Sequence, residues 1–243
     1  DVAVYAGASS DYHVMKLASG HYQVDDLRSG APDGTDELTG VEMLQFADGS
    51  FAVTAWDGAP PPPATGVTII GTAEDDVVTA TSTVAGQPGI TDGGDLIDVG
   101  DGNDKVRAGA GADTILGGAG HDELSGGGGD DQIAGGEGYD DLTGGSGADI
   151  FVFSSILDAV RDAATGKVDN VLDFSHAQGD LIDLSAIGSF ALVDAFSGAG
   201  WELLTTKAGD GYLVEGDVDG DAAPDFAFHV TTATKLIASD FVM

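Results

Sequence analysis

Seven aspartates recur at every ninth residue without a gap: Asp95, Asp104, Asp113, Asp122, Asp131, Asp140 and Asp149. Two residues after each stands an apolar side chain: Ile97, Val106, Ile115, Leu124, Ile133, Leu142 and Phe151. Glycines fill the intervals, most regularly in Gly117-Gly118-Ala119-Gly120-His121-Asp122 and Gly135-Gly136-Glu137-Gly138-Tyr139-Asp140. Carboxylates beside glycine turns, which turn backbone carbonyls into the same gap, make an all-oxygen donor set. Six or so oxygens at about 2.3–2.6 Å is hard-cation chemistry of the calcium type. Magnesium prefers smaller octahedral sites that retain water, and zinc prefers nitrogen or sulfur, which the array does not offer.

The nine-residue unit also dictates the elements that position these groups. Around each apolar residue the chain alternates, so that side chain points to one face of a minimal strand. The six residues before it, rich in glycine, take left-handed conformations that a Cβ disfavours, and so reverse the chain. Two units complete a coil of about 18 residues, with a strand on each side and a turn at each edge. Asp95, Asp113, Asp131 and Asp149 then share one edge, and Asp104, Asp122 and Asp140 the other. Strands stacked about 4.8 Å apart bring successive carboxylates into repulsion unless a cation lies between them. Neighbouring pairs on each edge predict roughly five or more calcium sites. Asp-Gly stretches favour turns unaided, but turn preference alone would not keep register with both the glycines and the inward apolar residue.

The rest of the chain divides around this array. Four prolines at 60–63 predict a stiff linker over residues 59–65. Before it, residues 1–58 alternate apolar and polar residues around Ser19-Gly20 and Asp48-Gly49 turns, which predicts a small unit of β-hairpins. Residues 66–152 form the repeat domain. It opens on an imperfect unit, Gly71-Thr72-Ala73-Glu74-Asp75-Asp76, with Glu74 where glycine is expected. Residues 153–243 predict a β domain that caps the exposed end of the array. It begins with a short helix at 156–161 and continues with strands at 171–174, 181–184, 203–204, 212–214 and 226–230. The fold class is therefore all-β: a calcium-bound parallel β-roll, or β-helix, solenoid between a small N-terminal β unit and a C-terminal cap. Asp217-Val218-Asp219-Gly220-Asp221 with Asp225 is a second candidate calcium loop, with a plain acidic hairpin turn as the competing reading. Asp33-Gly34-Thr35-Asp36 reads as a turn.

Composition narrows the function. Asp and Glu number 42 against 8 Lys and Arg, a formal net charge of −34, which opposes any phosphate backbone and excludes nucleic-acid binding. No run of 18 apolar residues spans a membrane, and no polybasic patch attracts anionic lipid. Cysteine is absent, so neither disulfides nor thiolate metal sites contribute. The chain begins Asp1-Val2-Ala3 and shows no amino-terminal signal peptide, which favours a piece of a longer protein.

The nonapeptides from Asp95 to Asp149 resemble those of repeats-in-toxin (RTX), hemolysin-type calcium-binding exoproteins. Residues 148–153, 171–174, 179–185 and 219–226, with the tail Ser239-Asp240-Phe241-Val242-Met243, resemble the C-terminal domain of serralysin-type metalloproteases. Residues 33–49 resemble a spacer found beside such arrays. The resemblance implies calcium held by the sixth-position aspartates and by turn carbonyls. It transfers to Asp104, Asp113, Asp122, Asp131, Asp140 and Asp149 with Gly100, Gly102, Gly109, Gly111, Gly117, Gly118, Gly120, Gly126, Gly127, Gly129, Gly135, Gly136, Gly138, Gly144, Gly145 and Gly147. Asp95 and Asp76 complete the candidate ligands. Val99, Ala108 and the pair Ile90-Thr91 replace glycines of three units, which predicts altered turns at the start of the array. The resemblance also implies an uncleaved C-terminal signal read by type I secretion machinery, and export from a Gram-negative bacterium to the medium or the cell surface.

No catalytic motif is visible. The chain has no H-E-x-x-H, no G-x-S-x-G and no phosphate loop, and its histidines (13, 21, 121, 176 and 229) are scattered. The leading expectation is a non-enzymatic calcium-binding folding and secretion module. Two alternatives remain: a calcium-dependent adhesin or surface-layer component that binds itself or surface glycans, and the non-catalytic tail of a secreted metalloprotease or polysaccharide-modifying enzyme.

Overall fold

The computed structural model describes residues 66–159 and 166–243, together with the backbone of six strands among the first 52 residues. The proline linker at 59–65 lies outside the described residues. So do Asp33, Gly34 and residues 160–161 of the expected helix. The N-terminal hairpins are present: Tyr12–Lys16 pairs antiparallel with Tyr22–Asp26, and Met43–Phe46 with Gly49–Ala52. Thr35 and Asp36, expected in a turn, instead open the strand Thr35–Leu38, which extends the first hairpin.

From Thr68 onward the chain winds into two walls of mainly parallel strands. One wall holds, in spatial order, Thr68–Thr72, Leu96–Gly100, Thr114–Gly120, Gln132–Gly138, Ile150–Val152, Leu181–Asp183 and Phe241–Val242. The other runs from Val77–Val78 through Lys105–Ala110, Glu123–Gly128, Asp141–Ser146 and Asp169–Val171 to Phe226–Thr231. Gly211–Asp217 and Glu202–Ala208 then extend this second wall antiparallel, and Ala191–Val193 forms its edge. Among the described residues there is no α-helix. The helix expected from 156 is a single 3-10 turn, Ile156–Ala159, held by Asp158, whose carboxylate accepts the amides of Ser154 and Ser155.

The register gives the core directly. Ile69, Ile97, Ile115, Ile133, Phe151, Ile182 and Phe241 stack as one inward ladder. Val78, Val106, Leu124, Leu142, Val171 and Val230 stack as the facing one. All thirteen side chains are buried. Because parallel strands stack in register, each apolar residue meets its counterpart one coil away, and the nine-residue period becomes a continuous two-sided core.

The strands are longer than the three-residue elements expected. Lys105–Ala110 and Gln132–Gly138 run on into the glycines, which pair with glycines one coil away, as in Gly118 with Gly136. A second position of each unit therefore also points inward, and in the early coils it carries Val99 and Ala108, both fully buried. Their apolar side chains fill core space that the later units leave to glycine.

Candidate calcium-binding turns

The repeat aspartates sit at the strand entries and are buried: Asp104, Asp113, Asp122, Asp131, Asp140 and Asp149 are each about 1–2% exposed. Each carboxylate reaches back one coil. Oδ1 of Asp113, Asp122, Asp131, Asp140 and Asp149 accepts the backbone N–H of Asp95, Asp104, Asp113, Asp122 and Asp131 at 2.7–3.0 Å. Two edge columns result, as the 18-residue coil requires. They extend further than the nonapeptides do. Asp140 donates to Asp169 Oδ1 at 2.7 Å, and Asp149 to Asp180 Oδ1 at 3.1 Å. Asp104 in turn accepts the amide of Asp76, and Asp95 that of Val67.

The second carboxylate oxygen divides the aspartates into two groups. Oδ2 of Asp104, Asp113, Asp122, Asp131, Asp140, Asp149 and Asp169 is buried without a hydrogen-bond partner. A buried carboxylate oxygen left unpaired costs on the order of 1–3 kcal/mol, and more if charged. In Asp76, Asp95 and Asp180 the same oxygen is satisfied. Thr72 donates both its amide and its hydroxyl to Oδ2 of Asp76, the Thr91 amide donates to Oδ2 of Asp95 while its hydroxyl serves Oδ1, and the Ser175 amide donates to Oδ2 of Asp180. Both threonines occupy the second position of their unit, where the other units carry glycine.

Electrostatics follow from burial. The Asp113, Asp122 and Asp149 carboxyls are pushed up to about 6, those of Asp131 and Asp140 to about 7, and that of Asp169 to about 8. Loss of solvent dominates in every case. The amide donated from the previous coil partly offsets it, and neighbouring carboxylates raise the value further. Asp104 and Asp180 shift in the same direction for the same first cause.

The glycines play two different parts. The second and fourth of a unit, such as Gly136 at φ 95° and Gly138 at φ 145°, occupy backbone space that L side chains avoid. The first has ordinary φ but stands against the orphaned oxygen. A Cβ on Gly117, Gly126, Gly135 or Gly144 would collide with Oδ2 of Asp122, Asp131, Asp140 or Asp149. At Gly117 that Cβ would also meet the carbonyl oxygen of Gly135, one coil further on. An aspartate oxygen and a carbonyl oxygen from successive coils thus lie close to each other beside Gly117, two members of an oxygen donor set of the kind hard cations take. At Val99 and Ala108 the following Gly100 and Gly109 keep positive φ, so those two turns survive the replacements. At Ile90-Thr91 the turn changes, and Thr91 closes on Asp95.

The candidate ligands Gly100, Gly102, Gly109, Gly111, Gly118, Gly120, Gly127, Gly129, Gly145 and Gly147 share the positive-φ turns, and all of them line the two edge columns. Sequence reasoning missed Asp169 among the orphaned set. Its signal was present, since Asp169 and Asp180 each precede an inward apolar residue, Val171 and Ile182, by two. Insertions had stretched the coils to 29 and 31 residues and hidden the period. In the C-terminal loop, Asp217, Asp219 and Asp225 lie within 4.8 Å of one another, but backbone amides already serve this group. Gly220 and Ala222 donate to Asp217, Val218 and Asp219 to Asp225, and Asp221 to Asp219.

Two parallel walls, inward ladders and glycine turns bearing edge aspartates define a parallel β-roll of the RTX type. The family model described as the peptidase M10 serralysin C-terminal region matches residues 89–243, and the chain belongs to that family. Among solved structures, the AlgE6R2 subunit of the Azotobacter vinelandii mannuronan C5-epimerase is 26% identical, with 72% of this chain and 91% of that chain covered and a TM-score of 0.45. The AlgE6R3 subunit of the same enzyme gives 25%, 74%, 84% and 0.44. Extracellular lipase LipA from Serratia marcescens gives 13%, 100%, 32% and 0.34. No curated protein matches the chain. Among the described residues, no helix is long and apolar enough to cross a membrane.

Proposed function

We propose that the chain is a calcium-dependent folding module of an exported protein. The observation that carries this reading is the row of seven buried, orphaned Asp Oδ2 atoms, six of them at the glycine turns of the repeat. Asp104, Asp113, Asp122, Asp131, Asp140, Asp149 and Asp169 would supply carboxylate oxygen, and the glycine carbonyls of the adjoining turns the remainder. Calcium supplies the positive charge that lets these carboxylates stay ionised while buried. The chain's own residues do the rest: the aspartate amides fix Oδ1, and the apolar ladders exclude water.

Without the cation, seven buried carboxylates and a chain of net charge −34 oppose folding, and glycine adds conformational entropy to lose. An unfolded chain suits passage through a narrow type I channel where calcium is scarce, and millimolar calcium outside a Gram-negative cell then folds it. With a dissociation constant near 10⁻⁴ M, 1 mM calcium contributes about 1.4 kcal/mol per site. The C-terminal strands that complete both walls, down to Phe241–Val242, are the folding cap and carry the secretion signal. This reading makes the chain a non-enzymatic module, whatever activity accompanies it elsewhere.

The deciding experiment is far-UV circular dichroism during a calcium titration, with magnesium as the control. A cooperative coil-to-β transition at about 0.1–1 mM calcium, absent with magnesium, is expected. A chain already fully β in chelator would remove the switch.

A further inference from the structure

One cleft on the outer surface takes no part in the calcium columns. His121 and Tyr139 occupy the same outward position of their units, one coil apart, and their rings meet at a tilt, with centroids 4.1 Å apart and planes 33° from parallel. The Lys167 ammonium lies 4.3 Å from the centre of the Tyr139 ring. Beside them, Asp141 and Asn170 are register neighbours on adjacent strands, and Asn170 Nδ2 donates to Asp141 Oδ1 at 2.9 Å. With residues 166–168 as one wall, these five side chains line a cleft of about 310 Å³. Within it the His121 Nδ1 atom is buried and has no hydrogen-bond partner.

We propose that this cleft binds one neutral pyranose unit of a polysaccharide. Three features select that chemistry. The cleft reaches the lower end of the size range of small-molecule sites, roughly 300–1,000 Å³. A planar carboxylate and a planar amide, locked to each other, match vicinal hydroxyls, which both donate and accept. The His121 and Tyr139 rings offer an amphipathic wall to the C–H groups of a sugar, and the unpartnered imidazole nitrogen is left for a further hydroxyl. Charge decides against an acidic ligand. Asp141 lies in the cleft, the chain carries −34 overall, and the Lys167 ammonium already covers an aromatic face. The repeat grammar leaves the positions of His121, Tyr139 and Asp141 free to vary, so these three side chains are not dictated by the roll.

The test is calorimetric titration of the calcium-loaded chain with neutral oligosaccharides of glucose, mannose and galactose, followed in parallel by the ring resonances of His121 and Tyr139. One neutral series should bind and shift both rings. Tyr139→Ala and the isosteric Asp141→Asn, each shown by circular dichroism to fold with calcium, should weaken that binding by about tenfold or more. The proposal is overturned if no neutral series binds at about 10 mM, a limit near −3 kcal/mol. Binding unchanged in both variants, or confined to polyuronates, overturns it equally.

Discussion

The amide of Asp122 donates to Oδ1 of Asp140 at 2.9 Å, while the other oxygen of the same carboxylate is buried without a partner. One side chain thus splices two coils and leaves a charge that protein donors do not satisfy. Substitution separates the two roles. Asp140→Asn keeps an acceptor for the Asp122 amide and removes the anion, so it should fold at lower calcium while binding fewer ions. Asp140→Ala loses the acceptor as well, and should cost a further 1–3 kcal/mol or about that. Calorimetric ion counts and calcium midpoints for the pair check both outcomes.

Burial sets the pH dependence of the metal-free chain. The carboxyls of Asp113, Asp122 and Asp149 lie at about 6, Asp131 and Asp140 at about 7 and Asp169 at about 8, against an ordinary value of 3.8. Between the ordinary and the raised values the folded chain holds more protons than the unfolded one. Its stability is therefore full below pH 3.8 and is lost as pH rises through 6 to 8. In chelator, β structure should appear on acidification below about pH 6 and vanish towards pH 8. Saturating calcium should displace the protons and flatten the profile. Ellipticity against pH, with and without calcium, measures this directly.

The first glycine of the later units leaves room beside Oδ2, the second supplies a positive φ, and the two can be told apart. Gly126→Ala sets a methyl against Asp131 Oδ2, which that carboxylate must move to accommodate, so it should weaken the site there and raise the calcium midpoint. Gly128→Ala is the control. That position has ordinary φ, and the nearest atom, Ser146 Oγ, lies 3.3 Å from the added Cβ. It should fold and bind as the parent does. Calcium midpoints for the two variants, read side by side, decide the matter.

The fold was legible in the sequence wherever the period held. Asp every nine residues, with an apolar residue two later, is enough to place both edge columns and both inward ladders from Ile97 to Phe151. Legibility failed where the period was stretched. Asp169 and Asp180 keep the local pattern, but the residues inserted before them break the count, and only the Asp140 and Asp149 amides reveal their place in the columns. The inward role of Val99 and Ala108 was hidden for another reason. Turn grammar assigns their position to a loop, whereas ladder pairing carries the strand past it. The cleft at His121 and Tyr139 depends on Lys167 folding back from outside the repeat, which no local pattern encodes.

The last prediction concerns the closure at the start of the array. Thr91 donates both its amide and its hydroxyl to Asp95, at 2.8 Å each, and Thr72 treats Asp76 in the same way. Thr91 stands where Gly118 and Gly136 stand in later units, and those glycines take φ of 107° and 95°. Threonine disfavours that conformation, and its own donors reach the carboxylate instead. In these coils protein donors satisfy Oδ2, which in the seven orphaned aspartates no protein donor does. The Oδ2 donor is the Thr91 amide, so Thr91→Gly acts through the backbone: free to take the positive φ of Gly118 and Gly136, residue 91 should turn its N–H off Oδ2 and convert Asp95 to the orphaned type. The variant should bind one additional calcium ion, and its calcium-free form should become less protected from amide exchange at residues 91–97. If Thr91→Gly leaves the ion count unchanged, Asp95 is a structural aspartate whatever residue precedes it.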